Sequence, residues 1–273
     1  MRRFHIFLTM TTMSLLAGCA GPDRRPEPAR IAAVVPAAPS PHAMTIDPRP
    51  RELSELLVLA PDADPGVLAL ALEARSCAVR NGDADADARL AVIDYSRPSS
   101  EQRLWIFDLV EGRLLHREYV AHGSGSGENF AKHFSNNEGS YQTSLGLYRT
   151  AETYIGKNGY SLRMDGLDPG FNDNARPRAI VMHGAWYANP DLIRTQGRLG
   201  RSQGCPALRE QVAKVVIDEL KQRNLVFAYA DDAAWLRDGR SFACDGRSAA
   251  QILAMGRAPR SDGHRVASLG ASS

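Results

Sequence analysis

The chain is short of the features that would direct it to nucleic acid, to a metal cluster or permanently across a membrane. Its 33 Lys and Arg face 31 Asp and Glu, a formal net charge of +2, and the basic residues are scattered without interleaved aromatics. No nucleic-acid footprint is present. The apolar stretch from Phe4 to Leu16 is too short to remain as a spanning helix. Cysteine is scarce, four in 273 residues, and none of the four shows the compact spacing of a metal site. His122, His183 and Cys205 can be written as a ligand set, but without that spacing no metal is expected. Asp83, Asp85 and Asp87 begin like a calcium loop and lack its glycine and closing glutamate. The run His122-Gly123-Ser124-Gly125-Ser126-Gly127 lacks the lysine of a phosphate cradle, and no cofactor is expected.

What is there begins with Arg2-Arg3 ahead of the apolar stretch and small residues before Cys19, the profile of a secretory signal over residues 1–19. Leu16-Ala17-Gly18-Cys19 resembles the bacterial lipoprotein processing site, which implies acyl chains on Cys19 and a membrane anchor of several chains. Ala20 stands where an aspartate looks like an inner-membrane retention signal in such lipoproteins. The expected location is therefore the periplasmic side of a bacterial envelope, lipid-anchored to the outer membrane; cleavage without lipid and a buried N-terminal helix are the alternatives. Residues 20–50 are crowded with Pro and Ala and read as a semi-rigid tether. Residues 51–236 suffice for one domain. Residues 237–273 turn polar, with Gly239, Gly246, Gly256, Gly263 and Gly270, and read as a flexible tail in which Ala249 to Met255 can form a short helical turn.

Apolar spacing predicts two short helices, Arg51 to Ala60 and Gly66 to Val79, broken by Pro61 and Pro65. Strand signals follow at Arg89 to Tyr95, Arg103 to Leu109, Leu114 to Ala121, Leu145 to Thr150, Ser161 to Met164 and Arg178 to His183. A helix from Leu208 to about Gln222 and a strand from Leu225 to Ala230 close the domain. Many short strands with one clearly long helix predict a mainly β domain rather than alternating βα units.

The chemistry concentrates on two residues. Ala179-Ile180-Val181-Met182 reads as a buried strand that delivers His183 at its end, where Gly184 lets the backbone turn. Cys205 follows in Arg201-Ser202-Gln203-Gly204-Cys205-Pro206, a cysteine between glycine and proline with an upstream histidine to serve as its base, the pattern of covalent acyl transfer. If the following helix starts near Pro206, its dipole favours the thiolate. Backbone N–H groups around Gly204 and Cys205 suit an oxyanion hole, and Ser202 and Gln203 suit orientation rather than base work. The structural alternative is a buried cysteine and a core histidine. Asn172-Asp173-Asn174-Ala175-Arg176 is a second polar stretch able to line a cleft.

Several ordered runs then carry a family likeness: Val120-Ala121-His122-Gly123, Tyr154-Ile155-Gly156-Lys157-Asn158-Gly159-Tyr160, Phe171-Asn172-Asp173-Asn174-Ala175, Ile180-Val181-Met182-His183-Gly184-Ala185 and Gly200-Arg201-Ser202-Gln203-Gly204-Cys205-Pro206-Ala207. From roughly Ala74 to Leu236 the chain resembles the murein L,D-transpeptidase catalytic domain in its larger YkuD-related branch. The resemblance implies a YkuD-like β-sandwich or barrel-like domain with peripheral helices, with Cys205 attacking peptidoglycan tetrapeptide stems and His183 as its base. Gln203 occupies the histidine position of the superfamily's Ser-His-Gly-Cys motif, and Ala207 stands where that superfamily usually has an arginine. Arg201, Arg209, Arg176 and Arg178 are then the candidate carboxylate partners, Asp173 the candidate amine partner, and Asn174 and His122 candidate cleft residues. Crosslinking, protein attachment and L,D-carboxypeptidase trimming all fit the likeness, and a non-catalytic wall-binding lipoprotein is the rival of another class. With Cys19 and Cys205 so assigned, Cys77 and Cys244 remain. They form either a bridge pinning the tail to the early helix, which an oxidising compartment permits, or a buried thiol and a tail thiol. The oligomeric state has no signature here.

Overall fold

Pro50 falls within the first turn of helix α1 (Arg49–Leu59), and Pro65 opens α2 (Pro65–Arg80), positions where proline costs no hydrogen bond. The Asp64 side chain caps α2 by accepting from Gly66 N at 2.8 Å and Val67 N at 3.0 Å. This computed structural model describes residues 49–259. The expected signal segment with Cys19, and the tether up to residue 48, lie outside the described residues.

After α2 come β1 (Leu90–Asp94), β2 (Leu104–Asp108), β3 (Arg113–Glu118), β4 (Gly146–Gly156), β5 (Gly159–Gly166), β6 (Val181–Gly184), α3 (Asp191–Gln196), β7 (Ala207–Leu208), α4 (Glu210–Leu220), β8 (Leu225–Tyr229), α5 (Ala233–Asp238) and α6 (Ala249–Arg257). One mixed eight-stranded sheet runs β3-β2-β1-β8-β4-β5-β6-β7. Its centre is the parallel pair β1 and β8, in register from Leu90 opposite Leu225 to Asp94 opposite Tyr229. Both strands are buried along their whole length, as their nearly continuous apolar sequences require.

The two ends of the strand order come back together. Beyond β3 the chain reaches Ala121, which bridges Ala207 of β7, and Gly123, which bridges Ser202. The sheet is thereby nearly closed into a barrel-like, helix-decorated form, as the family resemblance implies, and the closure falls beside Cys205. The mainly β expectation holds.

Helix α2 is buried on nearly every side because it packs on β1, β8 and β4 and is covered by α1 and α6. Its contact with α6 is a close glycine approach. A Cβ on Gly66 would meet Leu253 O at 2.8 Å, and one on Gly256 would meet the Gly66 Cα at 2.8 Å.

The C-terminal stretch corrects an expectation. Residues from 237 to the end of the described chain are folded, because they carry buried apolar groups that the polar composition masks: Phe242, Ile252 and Leu253. Phe242 packs edge-on against buried Trp235 with ring centroids 5.4 Å apart. Ser248 and Gln251 form a capping box that starts α6, the helical turn expected near Ala249. Cys77 on α2 and Cys244 form a disulfide, Cα to Cα 5.7 Å, closing a separation of 167 residues. Of the two readings left open for these cysteines, the bridge is the one present.

Candidate active site

Strand β6 lies between β5 and β7, with His183 opposite Ser161 on one side and Ala207 on the other. This register brings the segment just before Ala207, which contains Cys205, against the backbone that leads to His183. The Cys205 sulfur accepts from Val181 N at 3.5 Å and donates to Ala179 O at 3.8 Å. Val181 is two residues ahead of His183 and therefore shares its face of the strand. Cys205 and His183 both line one open groove of about 660 Å³, together with Arg178, Tyr187, Arg201 and Gln203. No hydrogen bond joins the two side chains, so transfer of the thiol proton to the imidazole requires the sulfur to turn from Ala179.

The loop carrying Cys205 is braced from three sides. Ser202 N donates to His122 O at 2.9 Å, and the Ser202 hydroxyl donates to Cys205 O at 2.7 Å while accepting from Gly204 N at 3.1 Å. Thr143 accepts from Gly123 N at 3.0 Å and donates to Gly204 O at 3.2 Å. Gly204 has φ +121°, and a Cβ there would meet Gln142 O at 2.8 Å, so a side chain is excluded both by conformation and by space. Its N–H, expected to face an oxyanion, is taken by Ser202. The Cys205 N–H has no acceptor among the described residues, which leaves it available to a ligand oxygen.

The condition that would have set Cys205 at a helix N-terminus, a helix starting near Pro206, is not met. Ala207 and Leu208 pair with His183 and Gly184 as β7, and α4 begins only at Glu210. Burial instead pushes the thiol above its ordinary value, with the Val181 N–H and the Arg178 charge opposing that shift. His183 donates from Nδ1 to Gly184 O at 2.9 Å, which leaves Nε2 unprotonated, and burial pulls its pKa below the ordinary value against that hydrogen bond. Both shifts favour the uncharged forms, a thiol and a neutral imidazole.

The other expected site residues divide sharply. Arg178 lines the groove and has no carboxylate partner among the described residues. Arg201 lines the groove but is already paired with Glu128 at 2.7 Å. Gln203 is an exposed wall residue. Gly184 holds the His183 tautomer. Arg176 is outside the lining, paired with Glu152 at 2.8 Å and Asp165 at 2.5 Å. Arg209 is likewise held by Glu118 at 2.6 Å. Asp173 accepts from Asn136 at 2.7 Å, and Asn174 donates to Asn136 O at 3.2 Å, so this stretch ties two loops together instead of facing the groove. His122 is buried, its Nδ1 2.7 Å from an Arg103 nitrogen; burial, with the Arg103 charge, pulls its pKa down to about 3. It is a frame residue, and the set His122, His183 and Cys205 is not assembled. The sulfurs of Cys77 and Cys244 lie with Glu73 in another group of potential ligand atoms, but both are taken up in the disulfide.

Sequence reasoning missed Tyr187, whose ring stands edge-on to His183 with centroids 6.4 Å apart, and Thr143. It also missed Glu138, Tyr141, Tyr154, Lys157 and Asn158 on the groove wall. Tyr154 to Tyr160 was visible as a family-like run, and its hairpin, with the two-residue turn Lys157-Asn158, carries Tyr154, Lys157 and Asn158 to the groove, while Glu138 and Tyr141 come from the loop before β4. Thr143 had no signal.

With the fold and the groove in place, the family can be stated. The YkuD_2 model, described as an L,D-transpeptidase catalytic domain, matches residues 59–229, and the chain belongs to that family. It is thus a member of an enzyme family of L,D-transpeptidase type. No curated protein matches the chain. Among solved structures it is similar to an L,D-transpeptidase from Mycobacterium smegmatis at 13% identity, covering 52% of this chain and 59% of that one with TM-score 0.32. It is also similar to an L,D-transpeptidase from Stackebrandtia nassauensis at 14% identity, covering 61% and 67% with TM-score 0.34. A third is from Mycobacterium tuberculosis H37Rv at 16% identity, covering 52% and 58% with TM-score 0.31. The chain spans less than two thirds of the length of these mycobacterial relatives. Family membership rests on the 59–229 match rather than on these likenesses.

Proposed function

We propose that the protein is a cysteine L,D-transpeptidase that acts on peptidoglycan tetrapeptide stems, with Cys205 as nucleophile and His183 as general base and acid. One observation carries the reading: a thiol outside any disulfide and an imidazole with a free Nε2 share one open groove, beside a backbone N–H that has no acceptor among the described residues. The Cys205 sulfur attacks the carbonyl carbon at the L-centre of the third stem residue while His183 Nε2 takes the thiol proton. The oxyanion meets the Cys205 N–H. The carbon–nitrogen bond then breaks, His183 returns its proton to the leaving D-alanine amine, and a thioester remains. An acceptor amine attacks the thioester, loses a proton to His183 and releases the sulfur, which recovers that proton. An amine from a second stem yields a 3-3 crosslink, an amine on a protein yields wall attachment, and water yields an L,D-carboxypeptidase product.

Because thiol and imidazole are both neutral at rest, the base acts during the attack, and an ion pair formed beforehand is unnecessary. Glu138 and Lys157 on the groove wall are the charges open to the stem's ammonium and carboxylate groups. Export by residues 1–19 and acylation of Cys19 would place this groove on the periplasmic side of the envelope, within reach of the wall.

The test is incubation of the purified protein with defined tetrapeptide muropeptides, with and without an amine acceptor, and product mass readout. A 3-3 crosslinked dimer is expected from the stems alone, which carry their own acceptor amine, and a conjugate of the stem with the added amine when that acceptor is in excess. Tripeptide stems alone under acceptor excess would make it a carboxypeptidase. Absence of any product with Cys205 unmodified would leave the wall-binding reading.

A further inference from the structure

A half-buried cation with no anion beside it is costly, and proteins rarely keep one without a use. Among the described residues Arg178 is such a cation. Its guanidinium is bound entirely by neutral acceptors: one nitrogen donates to Ser135 O at 2.6 Å and to the Ser144 hydroxyl, the other to Gln142 O at 2.7 Å and the Ser140 hydroxyl at 3.2 Å. These contacts hold it in a fixed place on the groove wall. That place adjoins the nucleophile's loop, since a Cβ built on Gly204 would lie 3.5 Å from the Arg178 Nη2. The sulfur of Cys205 donates to the carbonyl of Ala179, the residue next to Arg178.

From this geometry, and resting on the reading of Cys205 as nucleophile, we infer that Arg178 is an electrostatic positioning residue. It supplies the counter-charge that appears when Cys205 loses its proton, a task that a helix N-terminus performs where one is present. Burial works against the thiolate, and no helix dipole faces it here; the Val181 N–H favours it first, and the fixed charge of Arg178 is the one full cation that adds to that hydrogen bond. The electrostatic coupling runs both ways: the Arg178 charge lowers the thiol pKa, and the ionised sulfur raises that of the guanidinium, which burial depresses. The other ionisable groups around the sulfur do not replace it. His183 is neutral, Tyr187 is held protonated by burial, and Tyr95 beneath the loop is held protonated the same way. Arg201 is neutralised by Glu128, and Lys157 and Glu138 stand exposed at the rim with opposite charges.

The experiment reads the thiol directly and needs no turnover. Alkylation of Cys205 in the full chain is followed by peptide mass spectrometry against pH, with neutral iodoacetamide and anionic iodoacetate. The variants are Arg178→Gln, Arg178→Lys and Ser144→Ala, each with its thermal melting curve. Expected in Arg178→Gln is an apparent thiol pKa higher by about one unit, close to a tenfold slower alkylation at fixed pH, and a reduced preference for iodoacetate. Arg178→Lys should retain most of both, and Ser144→Ala, which loosens the tether and keeps the charge, should leave both in place. An unchanged profile in folded Arg178→Gln overturns the inference, as does an equal shift in Ser144→Ala. If Arg178→Gln does not fold, the iodoacetate preference of the wild type decides: it must fall toward that of a free thiol as salt is raised, and a ratio insensitive to salt overturns the inference. Failure of stem turnover with a normal thiol shift would sink the transpeptidase reading and leave this one standing.

Discussion

Two parts of the molecule hold cysteine sulfur, and they are built in opposite ways. Around Cys77 and Cys244 every charge is answered: Arg247 binds Glu73 at 2.7 Å, Arg80 binds Asp245 at 2.6 Å, and Arg49 binds Asp245 at 2.6 Å. The sulfurs there are bonded to each other and closed to chemistry. Around Cys205, among the described residues, the sulfur is in no disulfide, the nearest cation has no carboxylate, the neighbouring backbone N–H has no acceptor, and the imidazole presents a free nitrogen. The clamp satisfies its groups within the chain, whereas the groove leaves its groups for a ligand. Buried polar groups are ordinarily paired, so the place where pairing is withheld is the better pointer to function than the richness of charge.

The largest effect should separate the two parts completely. Cys205→Ala should remove stem turnover, by at least about 10³-fold, with a melting temperature close to that of the wild type. His183→Gln should cost roughly 10²–10⁴-fold. In contrast, Cys77→Ser or Cys244→Ser should lower stability by about 2–5 kcal/mol and leave kcat on stems within a factor of a few at a temperature where the variant stays folded. Steady-state assays beside urea melts check both. The comparison breaks if Cys244→Ser abolishes turnover in a folded protein, or if Cys205→Ala unfolds it.

Much of this division was legible beforehand. Strands at Arg89 to Tyr95, Arg103 to Leu109 and Leu225 to Ala230 were visible because buried strands need unbroken apolar runs, and the helix of Gly66 to Val79 because its apolar residues recur at helical spacing after the break at Pro65; that Pro65 and the Asp64 cap open the helix was not. His183 and Cys205 were visible because glycine on either side of the chemistry exposes backbone. What was hidden depends on pairing across the fold. Ala207-Leu208 carries no strand signal and becomes β7 only because β6 offers an open edge, which displaced the helix start expected at Leu208 to Glu210 and set it away from Cys205. Arg176 and Arg178 are indistinguishable as letters two residues apart, yet one meets Glu152 and Asp165 and the other meets only neutral acceptors. The tail looked mobile because its few apolar residues, Phe242, Ile252 and Leu253, are dispersed among polar ones.

A pH series extends the comparison to the two buried histidines. His122 has its Nδ1 lone pair facing the Arg103 guanidinium at 2.7 Å and a pKa lowered from 6.5 to about 3. Between those values the unfolded chain binds a proton that the folded chain refuses, so stability rises with pH across that window and is lost on acidification. His183, also lowered by burial, acts with the same sign. In His122→Asn the amide oxygen can accept from Arg103 without titrating, and the difference in unfolding free energy between variant and wild type should therefore widen in the variant's favour as pH falls from about 6.5 toward about 3. A constant difference across the series would remove His122 from the frame role assigned to it.

The smallest effect tests whether anything in the groove is packed rather than merely open. Tyr187 has no hydrogen bond from its hydroxyl among the described residues, and its ring stands edge-on to His183 and to Trp186, at 6.4 and 5.9 Å between centroids. If the tyrosine serves only to hold the imidazole, the hydroxyl is dispensable and the ring is not. Tyr187→Phe should then change kcat/KM on stems by less than about 2-fold, and Tyr187→Ala should lower it by about 2- to 12-fold, the worth of an aromatic edge contact of about 0.5–1.5 kcal/mol. The loss should fall on kcat, because a displaced base slows proton transfer without weakening the hold on the stem. If Tyr187→Phe instead raised KM and left kcat alone, the hydroxyl would be a substrate contact, and the ring's part in positioning His183 would have to be given up.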